Sequence, residues 1–404
     1  MEYNLRANTF SVGRSFHRYL VLLVAYTVST GSQSLQKALD AESSASKFLS
    51  LLRQFGLLDT YTSLSNVTIL APTNQAYEDL AKWGFNVSEV PAPVAKALLS
   101  YHALHGIYMA ENLVLGNEAI VVHSHLVPPM LTNVTEGAAV KLSRGQSRHV
   151  VTESGLQVIG GTEHSDIIFD GGVIHTLNSS LVLPHNTSVT AEVNDLTGFL
   201  DAVEQAGLIP EFEGQADFTI LIPHNGALHG FQQLMKLLSS EQMASILRYH
   251  VIPNEVLYQG IIPYGKSTYD TIEGSSVIVE HHGDAGLTFN EIQVVRSDLL
   301  LYGGVAHVID GLLIPEQAFQ SSSEHPSRIN MADLHTMPAD GVELLLNNVL
   351  PGVGIGRGYL VALAVLGLVV LIGVLHVFRQ LLQARRSSVH TSGRRFAEGL
   401  GVKC

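Results

Sequence analysis

At 404 residues, with 46% hydrophobic and 15% charged side chains, the chain is long enough to fill two or three domain cores and too apolar to be predominantly disordered. A formal charge of −13 argues against nucleic acid or any other polyanion as a partner. The single cysteine, Cys404, excludes an internal disulfide, so stability must come from burial.

In chain order, Arg14 to Arg18 lead into the apolar run Tyr19 to Val28 and the small residues Ser29, Thr30 and Gly31. Residues 1–31 therefore read as a secretory signal peptide, the alternative being an uncleaved anchor. Ser34 to Asp59 carries Leu35, Leu39, Phe48, Leu51, Leu52 and Phe55 at helical spacing, with Gly56 as punctuation. An apolar strand then runs into a proline and a helix, TILAPTNQAYEDL at Thr68 to Leu80, where Asn74 is expected to cap the helix. A helical run ends in Tyr101-His102, and strand-like text fills Ala119 to Val127 and Ala138 to Ile159. Gly171 to Pro184, GGVIHTLNSSLVLP, closes the unit as two glycines, an alternating apolar strand carrying His175, and a terminal proline.

After a short linker at residues 185–192 the order repeats. Leu196 to Leu208 has Gly207 in the place of Gly56, and FTILIPHNGALHGF at Phe218 to Phe231 offers Asn225 as the second cap. Tyr249-His250 and strand text at Ser276 to Val295 follow, then GGVAHVIDGLLIP at Gly303 to Pro315 with His307. The span from His102 to His175 is longer than that from His250 to His307, and Pro128-Pro129 and Gly137 to Gln146 are expected to be the loops that hold the excess. Helices precede strands in each unit rather than alternating with them, which argues an α+β fold.

Residues 316–358 read as a stalk rich in Ser, Pro and Gly. Tyr359 to Phe378 is an uncharged run of about 20 residues, enough at about 1.5 Å per residue to span a hydrocarbon core of about 30 Å as a transmembrane helix. The arginines after it place residues 379–404 in the cytosol as a basic tail and both repeats outside, a single-pass type I arrangement at the cell surface or facing a vacuolar or secretory lumen. Asn66, Asn86, Asn133, Asn178 and Asn186 head Asn-x-Ser/Thr triplets, all in the first unit or the linker. Asn178 falls inside the closing strand and is expected to be the least usable of the five for N-glycosylation.

Taken together, strand into Pro-x-Asn helix, Tyr-His, Gly-Val-x-His and a terminal Leu-x-Pro, found twice in the same order, resemble the fasciclin domain over Ser34 to Pro184 and Val193 to Pro315. The resemblance implies two tandem domains, each a helical layer on a β-sandwich, at 34–184 and 193–315. The sequence departs from the family pattern at Thr73, at Gly171 and Gly303, and at Asn178. The resemblance further implies partner contact through the first and last motif blocks and the Tyr-His segment, which makes Tyr101, His102, Tyr249 and His250 the interaction candidates. The implied role is adhesion or scaffolding on an extracytoplasmic protein or glycan. In filamentous fungi some such proteins also resemble accessory factors for laccase-type multicopper oxidases that couple phenolic polyketides into pigments or perylenequinone toxins, so a laccase is the alternative partner.

Nineteen histidines invite a metal reading. His102 and His105 fall three apart on the expected helix, His123 and His125 fall on one face of a strand, and His281-His282 are adjacent. No third ligand recurs in both repeats, since Pro253 stands where His105 would recur, so no metal and no cofactor is assigned. The recurring pairs His102 with His250 and His175 with His307 read instead as core imidazoles bonded to backbone. A nucleophile elbow, a P-loop and a dinucleotide glycine fingerprint are all missing from the sequence, so no catalytic residue is assigned.

Overall fold

The computed structural model describes residues 33–113, 119–146, 149–235 and 237–315. The expected signal peptide at 1–31, the stalk, the transmembrane segment at 359–378 and the basic tail lie outside the described residues. Among the described residues, no helix is long and apolar enough to cross a membrane.

The first repeat opens with α1 (Leu35–Ala41), α2 (Ser46–Gln54) and α3 (Leu58–Ser63), followed by β1 (Val67–Pro72), α4 (Asn74–Lys82), α5 (Ala92–Tyr101) and β2 (Ala103–His105). Its β half comprises β3 (Ile120–His123), β4 (Ala139–Arg144), β5 (Val150–Glu153), β6 (Ile159–Gly161), β7 (Ile167–Phe169) and β8 (Gly172–Leu177). The second repeat has α6 (Thr187–Val193), α7 (Thr197–Gln205), α8 (Ile209–Glu213), β9 (Phe218–Pro223), α9 (Asn225–Met235), α10 (Ser240–Arg248) and β10 (Val251–Ile252). It ends in β11 (Gly265–Asp270), β12 (Ser276–His281), β13 (Leu287–Phe289), β14 (Ile292–Leu301) and β15 (Gly304–Ile309).

Each repeat is built on one parallel strand pair: β1 with β8, Val67 opposite Gly172, and β9 with β15, Phe218 opposite Gly304. Every residue of these four strands is buried. The closing strands were expected to alternate buried and exposed. They do not, because each is covered on both faces, as parallel pairs usually are. The period of two survives as a choice between two apolar layers. Val67, Ile69 and Ala71 join the helix-side core with Phe48, Leu52 and Leu99, while Leu70 joins a second core with Leu104, Val140 and Leu142 between the sheets. In the second repeat Ile220 and Ile222 face Phe199 and Leu247, and Leu221 faces Val277 and Phe289.

The sheets differ between repeats. In the first they are separate, ordered β2-β1-β8-β7 and β3-β4-β5-β6. In the second, the ten-residue β14 runs through both layers and joins them into one sheet, β10-β9-β15-β14-β13-β12-β11, with register shifts at Val294/Arg296 and Arg296/Leu299 where it bends.

The short linker expected at residues 185–192 holds the start of a helix: Asn186 accepts a hydrogen bond from the Val189 amide at 3.0 Å and starts α6, whose Ala191 is buried in the second core. Gly137 to Gln146, expected to be a loop, is not one, because Ala139–Arg144 is β4 with Ala139, Val140 and Leu142 buried. Most of the excess lies in residues 124–138, where the second repeat has only 271–275 between β11 and β12.

That extra segment reaches across to the second repeat. The Asn133 amide donates to the Tyr302 carbonyl at 2.7 Å, Thr132 Oγ1 donates to the same oxygen at 3.1 Å, and the Tyr302 amide donates to the His185 carbonyl at 2.7 Å. Thr135 donates its amide to Asp217 Oδ1 at 2.7 Å and its hydroxyl to Oδ2 of the same carboxylate. Beneath this clasp Ala139 packs with Tyr258, Leu300 and Val305 in a small apolar cluster shared by the two repeats.

Candidate functional site

The recurring histidines occupy equivalent places pairwise, His102 with His250 and His175 with His307, and the two pairs carry opposite tautomers. His102 Nδ1–H donates to the Leu98 carbonyl at 2.7 Å, which leaves Nε2 to accept from the Leu181 amide at 3.1 Å. His250 does the same with Ile246 at 2.8 Å and Leu313 at 3.1 Å. Each ring thus ties the end of a helix to the segment after the closing strand. On the strands, His175 Nε2–H donates to Tyr108 at 2.8 Å and His307 Nε2–H to Leu257 at 2.7 Å, while their Nδ1 atoms accept from the Asp166 and Asp298 amides. All four are fully buried. Burial pushes His102 and His250 down to about 4 and lowers His175 and His307, so all are neutral at physiological pH.

Tyr101 and Tyr249 lie in the core between the sheets, donating their hydroxyls to the carbonyls of Ala139 at 2.6 Å and Ser276 at 2.8 Å. Tyr101, His102, Tyr249 and His250 were expected to offer a contact surface. Their side chains are at most 5% exposed and their polar atoms are engaged within the fold, so they present no surface to a partner.

Asn74 and Asn225 do not cap the helices they begin. Thr73 Oγ1 accepts from the Ala76 amide at 3.3 Å, and His224 Nδ1 accepts from Ala227 at 3.2 Å. The asparagines instead cap the neighbouring helix: Asn74 Oδ1 accepts from Lys47 in α2 at 2.8 Å, and Asn225 Oδ1 from Gly198 in α7 at 2.9 Å. Asn225→Ala should therefore lower stability by about 1 kcal/mol through a helix to which it does not belong. Denaturant midpoints equal to those of the unaltered protein would refute the cross-helix cap.

The sequence departures at Thr73 and Asn178 fall at equivalent places. In the second repeat they are His224 and Asp310, which pair at 2.7 Å. In the first, Asn178 accepts from the Gly161 amide at 2.9 Å. Asn178 is also not inside the closing strand, because β8 ends at Leu177 and leaves it exposed. Asn66 is exposed too, whereas Asn86, Asn133 and Asn186 are half-buried.

Among the described residues, no three His, Cys, Asp or Glu side chains converge as a metal site. The helix expected to hold both His102 and His105 ends at Tyr101, and His105 stands in β2. β3 ends at His123, and the His125 ring, just beyond it, packs against His105 with centroids 3.8 Å apart. A cavity among α6, α7 and α8, lined by Phe199, Val203 and Phe212, measures about 10 Å³, room for no more than a water.

Sequence reasoning did not find the contact between repeats. His123, Thr135, Asp217 and Tyr258 have no counterpart serving the same role in the other copy, so repetition could not reveal them. The one available signal was the extra length of the first repeat.

Comparison with known proteins places this geometry. The fasciclin domain model matches residues 43–184 and 194–315, and the chain belongs to the fasciclin-domain family. It is 49% identical over 288 residues to a fasciclin-like arabinogalactan protein of Phaeosphaeria nodorum, covering 71% of this chain and 90% of that protein. A fasciclin-like arabinogalactan protein of Cercospora beticola is 39% identical over 290 residues, covering 71% of this chain and 77% of that protein. Among solved structures, a FAS1 domain pair from the insect cell adhesion molecule fasciclin I matches 69% of this chain and 99% of that chain, at 19% identity and a TM-score of 0.34.

Proposed function

We propose that the protein is a non-catalytic extracytoplasmic adhesion or scaffold protein that presents two fasciclin domains as one joined pair, held at a membrane by Tyr359 to Phe378. The observation that carries this reading is that the polar side chains recurring in both repeats are spent on the fold: His102, His175, His250 and His307 each bond backbone on both ring nitrogens. Two domains clasped together would engage a partner with little loss of mutual freedom, which favours bivalent contact when each contact is weak. The family and its fasciclin-like arabinogalactan relatives support a cell-surface setting.

The fungal origin of those relatives favours a second reading, an accessory to a laccase-type oxidase. Tyr101 and Tyr249 are too buried to hold a phenoxyl radical, so such a role would rest on contact with the oxidase. Gene deletion followed by adhesion assay and metabolite profiling in parallel decides between the two. Lost adhesion with unchanged metabolites upholds the first. An accumulating uncoupled phenolic precursor with normal adhesion overturns it in favour of the second. Protease protection of a carboxyl-terminal tag tests the anchoring: a tag digested only from outside the cell contradicts the type I orientation.

A further inference from the structure

Three imidazoles lie at the root of the clasp. His105 in β2 and His125 pack together with centroids 3.8 Å apart and planes tilted by 40°. The ring of His123, in β3, meets the ring of Tyr258 from the second repeat edge-on at 5.8 Å. His123 Nδ1 bonds the Gly137 carbonyl at 2.8 Å, and its Nε2 lies 3.5 Å from Glu136. The antiparallel Leu104–Ser124 bridge puts His105 opposite His123, whose ring in turn meets Tyr258 of the shared cluster.

The same residues fasten the extra segment at its base. The His125 amide donates to the Ala103 carbonyl at 2.8 Å, Leu104 and Ser124 form an isolated antiparallel bridge, and the Ser124 amide donates to Ala138 at 3.0 Å. Residues 132–135, which hold the second repeat, hang from that base. We propose that this histidine row is an acid-sensitive release for the clasp: protonation of the His105–His125 pair unseats residues 124–138 and frees the two repeats from each other.

The geometry allows the pair to be neutral but not doubly charged. Two imidazolium rings with centroids this close repel, and His125 Nε2 is buried with no hydrogen-bond partner, so a proton placed there meets no acceptor. The protein shows both effects: burial, then the charge of His105, pushes His125 down to about 4, and burial, then the charge of His123, lowers His105. The acids around the row do not relieve the strain on the pair. Glu136 faces His123, while Asp217, Asp298 and Glu136 act on Tyr258. His185, whose carbonyl accepts from Tyr302, is also lowered by burial and adds to the effect of acid. The inference does not depend on what the domains bind.

Hydrogen–deuterium exchange on the full chain at about pH 7.5 and about pH 5, corrected for intrinsic rates, tests it. Protection at Asn133 and Tyr302 is expected to fall by about tenfold or more at the lower pH, the scale of one pK unit, while the amides of β1 and β9, which exchange only by global opening, stay the better protected. The double variant His105→Gln/His125→Gln is expected to keep its protection at both. Clasp amides that follow β1 and β9 at both pH values overturn the proposal, and so does a double variant that loses protection like the parent. Should the double variant not fold, His105→Gln alone removes the exposed partner. A smaller loss at the lower pH then upholds the proposal, and an unchanged loss overturns it.

Discussion

Gly304→Ala is expected to abolish folding of the second repeat. A Cβ at Gly304 would lie 1.8 Å from the Phe218 carbonyl oxygen, and at Gly172 it would lie 1.9 Å from that of Val67. Both oxygens belong to the central parallel pairs, buried on both faces, so neither backbone can move aside without opening the sheet. We expect a loss of about 4 kcal/mol or more, a large part of a typical domain's stability. Gly230→Ala, in α9 with no atom within 4 Å of the added carbon, is the control and should gain up to about 1 kcal/mol from helix propensity. Calorimetry settles the matter. A Gly304→Ala protein melting within about 2 °C of the parent would show that the strands are not packed as described.

The second large effect is loss of stability in acid. His102 and His250 have ordinary values near 6.5 when unfolded and about 4 when folded. Above about pH 6.5 both states are neutral and the histidines make no difference. Between 6.5 and 4 the unfolded chain takes up protons that the native core refuses, so stability falls as pH falls, by about 3 kcal/mol for each ring once pH 4 is reached. His175 and His307, also lowered by burial, act in the same direction. Denaturant unfolding free energies should be level above about pH 7 and decline through the window below it. A profile level down to pH 4 would mean that these rings are not buried neutral.

Much of the architecture was legible because it is written twice. The Gly-Gly-Val-x-His strands, the Pro-x-Asn junctions and the Tyr-His pairs mark the central strands and the helices beside them in both copies. Other features escaped for physical reasons. Period two is the same for a strand with one wet face and for one that feeds two different cores, so the double burial of β8 and β15 could not be read from pattern. β11, GKSTYD, is an edge strand with most of its residues exposed, and its polar text resembles a loop. Asn186 was noticed as the head of a glycosylation triplet, although its place before Thr187–Val193 also marks a helix start. The candidate site was the least legible. The residues singled out by repetition proved to be those the fold itself requires, and the contact between repeats exists in one copy only.

The central parallel pairs also govern the order in which this chain can become native. β1 is made early, but its partner β8 closes the repeat, so Val67 must wait for Gly172, and Phe218 for Gly304. Neither domain can condense around a local nucleus and grow outward, because bringing such distant segments together costs chain entropy before the sheet returns any contact. During synthesis the first domain stays unlocked until its last strand has emerged. Its extra segment stays without its partner for longer still, until Asp217 and then Tyr302 have appeared. The half-made molecule therefore exposes the apolar strand β1 and the free segment 124–138 together, the stage at which a folding helper has most to shield.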